Sequence, residues 1–314
     1  MRRTEQVQGL GLMKFEEIYE RTARRELSQY EAASILGVSE RTFRRWRDRF
    51  EGEGAEGLYD RRLGRPSGRR VPVDTVMEVL TLFDTRYWDF TAKHFHEKLV
   101  SEHAFGRSYN WLRLTLQAHG RVRPAPRRGA HRRKRERRAL PGMMLHQDGS
   151  SHQWVAGQWW DLIVTMDDAT SEIYSALFVA EEGTLSTFEA LAEVIAGKGL
   201  FCSLYADRGS HYWHTPEAGG KVDRDNPTQV GRALAQLGIE LIAAYSPQAR
   251  GRSERMFATL QKRLPQELRL AGITTMAEAN RFLRQHYLPR HNARFAIAPG
   301  APGVAFVPFA GVLE

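Results

Sequence analysis

The sequence predicts an α/β domain preceded by an all-α region, and three observations carry that reading. Residues 142–314 alternate β-rich runs with helical ones, the pattern of an α/β domain. Residues 10–120 place apolar residues at three- and four-residue spacing with few strand-like runs, which is a helical pattern. Between these zones, residues 121–141 (RVRPAPRRGAHRRKRERRALP) hold ten Arg or Lys against one Glu, with three prolines and a glycine. Such a segment cannot bury a core and reads as a linker. The expected order is a helical domain over 10–60, an Arg/Gly/Pro linker over 61–72 and a second helical domain over 73–120. The basic linker 121–141, an α/β core over 142–275 and a helix with a tail over 276–314 complete it.

Bulk properties narrow the function. At 314 residues the chain exceeds what one hydrophobic core usually serves. Its 42% hydrophobic and 26% charged residues are ordinary for a globular protein. A formal net charge of +9 fits a polyanionic partner, because neutralising phosphates releases counterions. Charge alone does not separate DNA from RNA or from an anionic membrane. The single cysteine, Cys202, excludes an internal disulfide framework and a Cys-rich zinc site. Lying in an apolar run, it is expected to act as a small buried hydrophobe. No run of about 18 apolar residues exists, and the charged N-terminus lacks the apolar core of a signal peptide, so a cytoplasmic setting is expected.

Residues 27–50 (LSQYEAASILGVSERTFRRWRDRF) divide into two short helices. Ser28 can cap a helix through Ala32, Ala33, Ile35 and Leu36. Gly37 supplies the turn, Val38 plugs it, and Ser39 caps a second helix. That helix buries Phe43 and Trp46 on one side and presents Glu40, Arg41, Arg44, Arg45 and Arg47 on the other. This is the helix-turn-helix layout, whose second helix enters the major groove. An ordinary helical hairpin with a solvated basic face is the alternative. Residues 60–70 (DRRLGRPSGRR), with Arg65 among them, suit a segment that follows a groove without a fixed fold.

A second helical unit spans 73–120. Thr91 caps a helix carrying Phe95, Leu99 and Val100, and a further helix carries Tyr109, Trp111, Leu112, Leu114 and Leu116. Its exposed face is less basic than the first, so a second helix-turn-helix and a structural spacer both remain open. His94, His96 and His103 lie close in sequence, but no cysteine or fourth ligand completes a zinc set. They read as surface or core histidines.

The α/β zone opens on MMLHQDGS, a short strand ending in Asp148. A second strand over 158–166 and a third over 173–180 follow, joined by the turn Asp167-Asp168-Ala169-Thr170, whose two acids read as structural. A helix over about 185–197 crosses to a fourth strand, Phe201–Ala206, that ends in Asp207. Three antiparallel strands, a helix and a further strand open an RNase H-like sheet. Neighbouring strand ends lie about 5 Å apart, so Asp148 and Asp207 are placed to face one another across a gap the size of an ion. Two unscreened carboxylates that close repel unless a cation lies between them. A hard cation such as Mg²⁺ suits oxygen ligands. Residues 245–262 (YSPQARGRSERMFATLQK) add a loop and then a helix with Glu254 in its first turn and Met256, Phe257 and Leu260 along an apolar stripe. The polar stretch 212–228 reads as an insertion ahead of it.

These three segments resemble the catalytic core of DDE transposases and retroviral integrases. HQDGS resembles the first-Asp strand, YADRGS the second-Asp turn, and SPQARGRSERMFATLQK the Pro-Gly-Glu-Arg helix. With the helical units ahead of them, the layout is similar to bacterial insertion-sequence transposases, with spacing like that of the ISNCY branch. The resemblance implies an RNase H-like integrase core behind helix-turn-helix DNA-binding domains. It implies a triad of Asp148, Asp207 and Glu254 that is both catalytic and metal-binding, with two Mg²⁺ ions for which Mn²⁺ can substitute. It further implies cleavage of 3′ ends and their transfer into target DNA. The expected partners are double-stranded DNA, as terminal inverted repeats and target, and further copies of the chain in a dimer or larger assembly. Membrane contact is not expected, and the bacterial nucleoid is the expected location. Besides the Arg residues of the helix-turn-helix, Arg65, Arg132, Arg133, Lys134, Arg135, Arg208, Arg250, Arg252 and Arg255 are the expected phosphate contacts. Two readings compete: a DNA-binding regulator without catalysis, and an RNase H-fold nuclease that cleaves without joining. The Pro/Gly-rich tail after residue 295 is expected to leave no room for a further DNA-binding barrel.

Overall fold

The computed structural model describes residues 3–59, 70–124, 126, 135–217, 220–245 and 251–311. The chain forms two compact units, Met1–Pro72 and Val73–Glu314.

In the first unit, helix α1 (Arg3–Ala23) precedes α2 (Gln29–Leu36) and α3 (Glu40–Glu53). Local chemistry sets their ends. The Ser28 side chain accepts the Glu31 amide, and the Glu31 carboxylate accepts the Ser28 amide at 2.8 Å, a reciprocal cap. Gly37 closes α2 at φ 68°, a left-handed conformation that costs glycine nothing. Ser39 then caps α3. Phe15 and Ile18 of α1 meet Ala32, Ala33 and Phe43 in the core, with Trp46 and Phe50 packed against it. The two capped helices, the turn and the buried Phe43 all match the expectation from sequence.

The second unit begins with α4 (Val73–Arg86), α5 (Ala92–Glu102) and α6 (Tyr109–Ala118) around a core of Leu80, Phe83, Tyr87, Phe95, Leu99, Leu112 and Leu116. Thr91 caps α5 as expected, and Ser108 caps α6. The three histidines go separate ways. His94 is buried against Glu267 at 2.7 Å, His96 meets the Arg107 carbonyl, and His103 meets the Tyr87 hydroxyl.

Five strands follow: β1 (Leu145–Val155), β2 (Gln158–Asp167), β3 (Ile173–Val179), β4 (Ser203–Ala206) and β5 (Glu240–Ala243). Their order in the sheet is β3-β2-β1-β4-β5. The first three are antiparallel, and β4 and β5 run parallel to β1. This is a mixed sheet of RNase H-like order. Helix α7 (Thr184–Lys198) links β3 to β4, and α8 (Gln229–Gln236) links β4 to β5. One face of the sheet packs against α7 and α8 through Leu145, Leu191, Val194, Leu204, Ala206, Val230 and Leu234. The other packs against α9 (Gly251–Leu260), α10 (Leu264–Leu270) and α11 (Met276–Phe282) through Leu162, Val164, Met166, Phe178, Met256, Phe257 and Leu260. The helix expected over 276–295 is broken by a π turn at Leu283–Tyr287 before α12 (Leu288–Phe295). Pro289 lacks an amide to donate back into that turn.

Three sequence readings change. Cys202 is exposed rather than buried, because it sits just ahead of β4 and contributes backbone hydrogen bonds to Gly142 and Glu240 instead of core volume. The stretch 212–228 is more than a polar loop. Tyr212, Trp213 and Val222 are buried in the core under α7 and α8, and His214 bridges to Asp223. The tail after α12 folds back on the sheet unit. Val307 pairs with Leu200, and Phe306 and Phe309 pack on the α7–α8 core. That return needs Gly199 (φ 100°), where a Cβ would lie 2.3 Å from the Val307 carbonyl oxygen.

Candidate active site

Asp207 directly follows β4 as expected, but Asp148 lies inside β1 rather than at its end, because the strand runs on to Val155 in its pairing with β2. In the parallel β1–β4 ladder Leu145 pairs with Leu204 and His146 with Tyr205. Continuing that register carries Asp148 to the level of Asp207. The pleat sets the face. Asp148 stands opposite Val164, and Val164 packs against α9. Leu204 and Ala206 point to the opposite face, towards α7 and α8, so alternation turns Tyr205 and Asp207 to the α9 side. Both aspartates therefore project on the side of the sheet that carries the Glu254 helix. Asp148 is buried and Asp207 half-buried. The Gly209 amide donates to Asp207 at 2.7 Å, which holds that carboxylate over the turn.

Glu254 sits in the first turn of α9 and is exposed. Below it Met256, Phe257 and Leu260 are buried in the sheet core, as the apolar stripe predicted. At the far end of the helix, Gln261 donates to Ser150 on β1 at 3.0 Å. Among the described residues, no three His, Cys, Asp or Glu side chains converge as a closed metal-ligand set. The register thus carries the two aspartates towards one level, and Glu254 stands in the first turn of α9.

A fourth acid joins this region that the sequence did not reveal. The Glu182 carboxylate lies over Gly149, where a Cβ would sit 2.0 Å from Oε2. Its backbone amide donates to Asp161, and its other oxygen faces His211 at 3.5 Å. Burial pushes the Tyr212 hydroxyl well above its ordinary range. The nearby carboxylates of Glu182, Asp207 and Asp148 push the same way. Tyr212 donates to Gln147, and Gln147 donates to Thr165, so the residue ahead of Asp148 is locked from behind. Glu182 lies between β3 and α7, and only the tertiary fold returns it to Gly149.

The cations fall into groups. Arg41, Arg44 and Arg45 are exposed on α3, while Arg47 is half-buried and paired with Asp48 at 2.8 Å. Arg255 is exposed next to Glu254. Arg208 donates to the Gly220 carbonyl and lies over the Tyr245 ring at 5.3 Å. Arg135 and Arg252, expected at phosphates, both turn inward onto buried Asp168. Arg65, Arg132, Arg133, Lys134 and Arg250 lie outside the described residues. Among the described residues, no helix is long and apolar enough to cross a membrane.

The comparisons agree with this build. A helix-turn-helix domain family model matches residues 17–67, which contain α2 and α3. The chain is 35% identical over 277 residues to the "Putative transposase y4bF" of Sinorhizobium fredii, covering 87% of this chain and 60% of that protein. It is 34% identical over 161 residues to the transposase for insertion sequence IS1202 of Streptococcus pneumoniae, covering 51% of this chain and 34% of that one. The chain thus spans under two thirds of the length of either relative. Among solved structures, the simian T-cell lymphotropic virus intasome in complex with a PP2A regulatory subunit matches at 17% identity and TM-score 0.42, over 67% of this chain and 74% of that one. The HTLV-2 integrase catalytic core domain in complex with magnesium matches at 16% identity and TM-score 0.36, over 48% of this chain and 91% of that one. At those scores the sheet order, and not the superposition, carries the fold. By sequence the chain is a relative of bacterial transposases, with a helix-turn-helix domain followed by an α/β core on a mixed five-stranded sheet.

Proposed function

We propose that the chain is a DDE transposase that binds the ends of an insertion sequence, frees their 3′ ends and joins them to target DNA. The observation that supports this reading most is the β1–β4 register, whose continuation beyond the His146–Tyr205 pair would bring Asp148 level with Asp207, with Glu254 in the first turn of α9. Carboxylates crowded beside one another have little use in DNA binding alone, since they repel phosphate.

The donor set fits a hard divalent cation: it is all oxygen, anionic and partly shielded from water. Asp148, Asp207 and Glu254 would hold a pair of Mg²⁺ ions. When bound, such ions lower the pKa of a water or a terminal 3′-hydroxyl and neutralise charge at the scissile phosphate. The remaining work falls to the protein's own groups. The buried strand β1 and the Gly209 amide hold the aspartates still, and the apolar stripe of α9 fixes the depth of Glu254. Exposed Arg255, next to Glu254, would meet a flanking phosphate, and Arg41, Arg44 and Arg45 would position the duplex on α3. In-line transfer between phosphodiesters needs positioning and charge neutralisation, with no covalent protein intermediate.

A strand-transfer assay with a labelled 3′-hydroxyl DNA end and Mg²⁺ tests the reading. Cleavage followed by joining, lost in Asp148→Asn, is the expected result. Cleavage without joining would make the chain a nuclease, and binding without cleavage a regulator.

A further inference from the structure

Asp168 occupies a turn where aspartate is common, yet it carries more partners than a turn requires. It is fully buried, and four groups meet its carboxylate. His146 Nε2 lies 2.7 Å from Oδ1, Arg135 donates to Oδ1 at 2.6 Å, Arg252 donates to the same oxygen, and the Arg138 amide donates to Oδ2 at 2.8 Å. Although burial alone would raise its pKa, the His146 and Arg138 hydrogen bonds and the Arg252 charge hold Asp168 well below the usual carboxylate range.

These partners come from three separate elements. His146 stands on β1 two residues ahead of Asp148. Arg252 stands on α9 two residues ahead of Glu254. Arg135 and Arg138 end the basic linker. The elements also bond one another around the same point, since Arg252 donates to the Arg135 carbonyl at 2.6 Å and Arg137 to the Asp168 carbonyl at 2.7 Å. The turn beneath is rigid without Asp168. The neighbouring Asp167 carboxylate accepts the Gly142 amide at 2.9 Å, the Thr170 amide at 2.8 Å and the Thr170 hydroxyl at 3.0 Å.

We propose that Asp168 is a positioning residue for the carboxylate site, a buried anion that fixes the first turn of α9, and with it Glu254, against the strand of Asp148. The proposal rests on reading Asp148, Asp207 and Glu254 as the catalytic acids. Met256, Phe257 and Leu260 hold α9 on the sheet, but apolar burial is non-directional and tolerates sliding along the helix axis. A charge-assisted hydrogen bond from Arg252 to a buried oxygen fixes distance and direction at the end where Glu254 sits. The burial of that anion is compensated only while its partners are in place, so the arrangement favours one geometry over a continuum. The linker makes the third leg, which ties the segment entering the sheet to the helix that bears Glu254.

The test compares Asp168→Asn, Arg252→Gln and Arg252→Lys with the catalytic control Asp148→Asn, all in the full chain. Hydrogen exchange without DNA should show amides 255–258, which bond back to the carbonyls of the first turn of α9, losing protection by at least about tenfold in Asp168→Asn and Arg252→Gln, while β1–β3 keeps its own. In strand transfer, kcat should fall by about 100-fold with KM for the DNA end unchanged, the cost of misplacing a reacting group by about 1 Å. Arg252→Lys should recover part of both effects. Unchanged exchange over 255–258, or a loss spread evenly over the sheet, overturns the proposal. Should Asp168→Asn fail to fold, Arg252→Gln removes the helix leg alone and decides the matter. If the wild-type chain joins no DNA, the transposase reading fails while the exchange result still decides what holds α9.

Discussion

Asp148 and Asp207 need each other's level on the sheet more than any local feature of their own segments. Replacing either with Asn should lower strand transfer by at least about 100-fold while leaving the melting temperature unchanged or slightly raised, because a charge leaves a crowded site. Gel-based transfer assays and thermal melts check both halves. His291 supplies a prediction in pH. Its burial, with a smaller effect from the Arg263 charge, lowers its pKa to about 4, so it stays neutral in the fold while the unfolded chain takes up a proton near pH 6.5. Its contribution is therefore complete above about pH 6.5 and is lost as pH falls towards 4, a change on the order of 3 kcal/mol. His94 and His146 shift the same way through burial. Unfolding midpoints followed from pH 7 to 4 should fall, and His291→Phe, placed between the rings of Tyr287 and Phe295, should flatten the slope. Of these residues, the aspartates stood out in the sequence as acids closing strand-like runs; Asp207 does follow β4, whereas β1 continues past Asp148 to Val155. The role of Asp168 was not legible, because its side-chain partners lie 22, 33 and 84 residues away.

At the scale of elements, the helix ends were the most legible feature, since caps are chemistry between residues three apart. Ser39→Ala removes the oxygen that accepts the Thr42 amide and should cost about 1 kcal/mol, seen in urea unfolding of the helical unit. Helix α3 also carries the prediction for DNA. Arg44→Ala with Arg45→Ala should weaken binding and reduce the slope of log affinity against log salt by about 0.9 for each phosphate no longer neutralised. Arg47→Ala should do less, because Arg47 is already paired with Asp48 and Glu51. Fluorescence anisotropy across a salt series separates the two. Helix α8, β5 and the π turn before α12 were harder to read: short amphipathic runs have weak periodicity, and their identity depends on the sheet beside them.

Across the second unit, the three helices α4–α6 are fastened to the sheet's helices by ion pairs rather than by apolar surface alone. Glu267 of α10 receives both His94 and Lys98 of α5 at 2.7 and 2.9 Å, and holds its carboxyl at about 2, where burial alone would raise it and the His94 and Lys98 hydrogen bonds prevail. Arg263 pairs with Glu97 at 2.6 Å, and Arg294 reaches the same carboxylate. Arg269 pairs with Asp89 at 2.6 Å. Glu267→Ala leaves Lys98 buried without that partner and should destabilise this unit by about 3 kcal/mol. Chemical unfolding monitored by tryptophan fluorescence should show the earlier transition. The same substitution should leave the unit Met1–Pro72 unaffected, because its core of Phe15, Ala32, Ala33 and Phe43 is its own.

The sequence by itself determined the helix-turn-helix and the strand-helix alternation, and singled out three acids as candidates, because each is written in neighbouring residues: caps, a glycine turn, an apolar stripe. Tertiary structure decided what those segments meet. It paired Leu145 and His146 with Leu204 and Tyr205 through a ladder between strands some 60 residues apart. It returned Glu182 to Gly149, drew Tyr212 and Trp213 into the core, and turned Arg135 and Arg252 onto a buried aspartate. The physical reason is range. Periodicity and capping act within a turn or two of chain, whereas burial and ion pairing depend on which distant segment closes over a side chain.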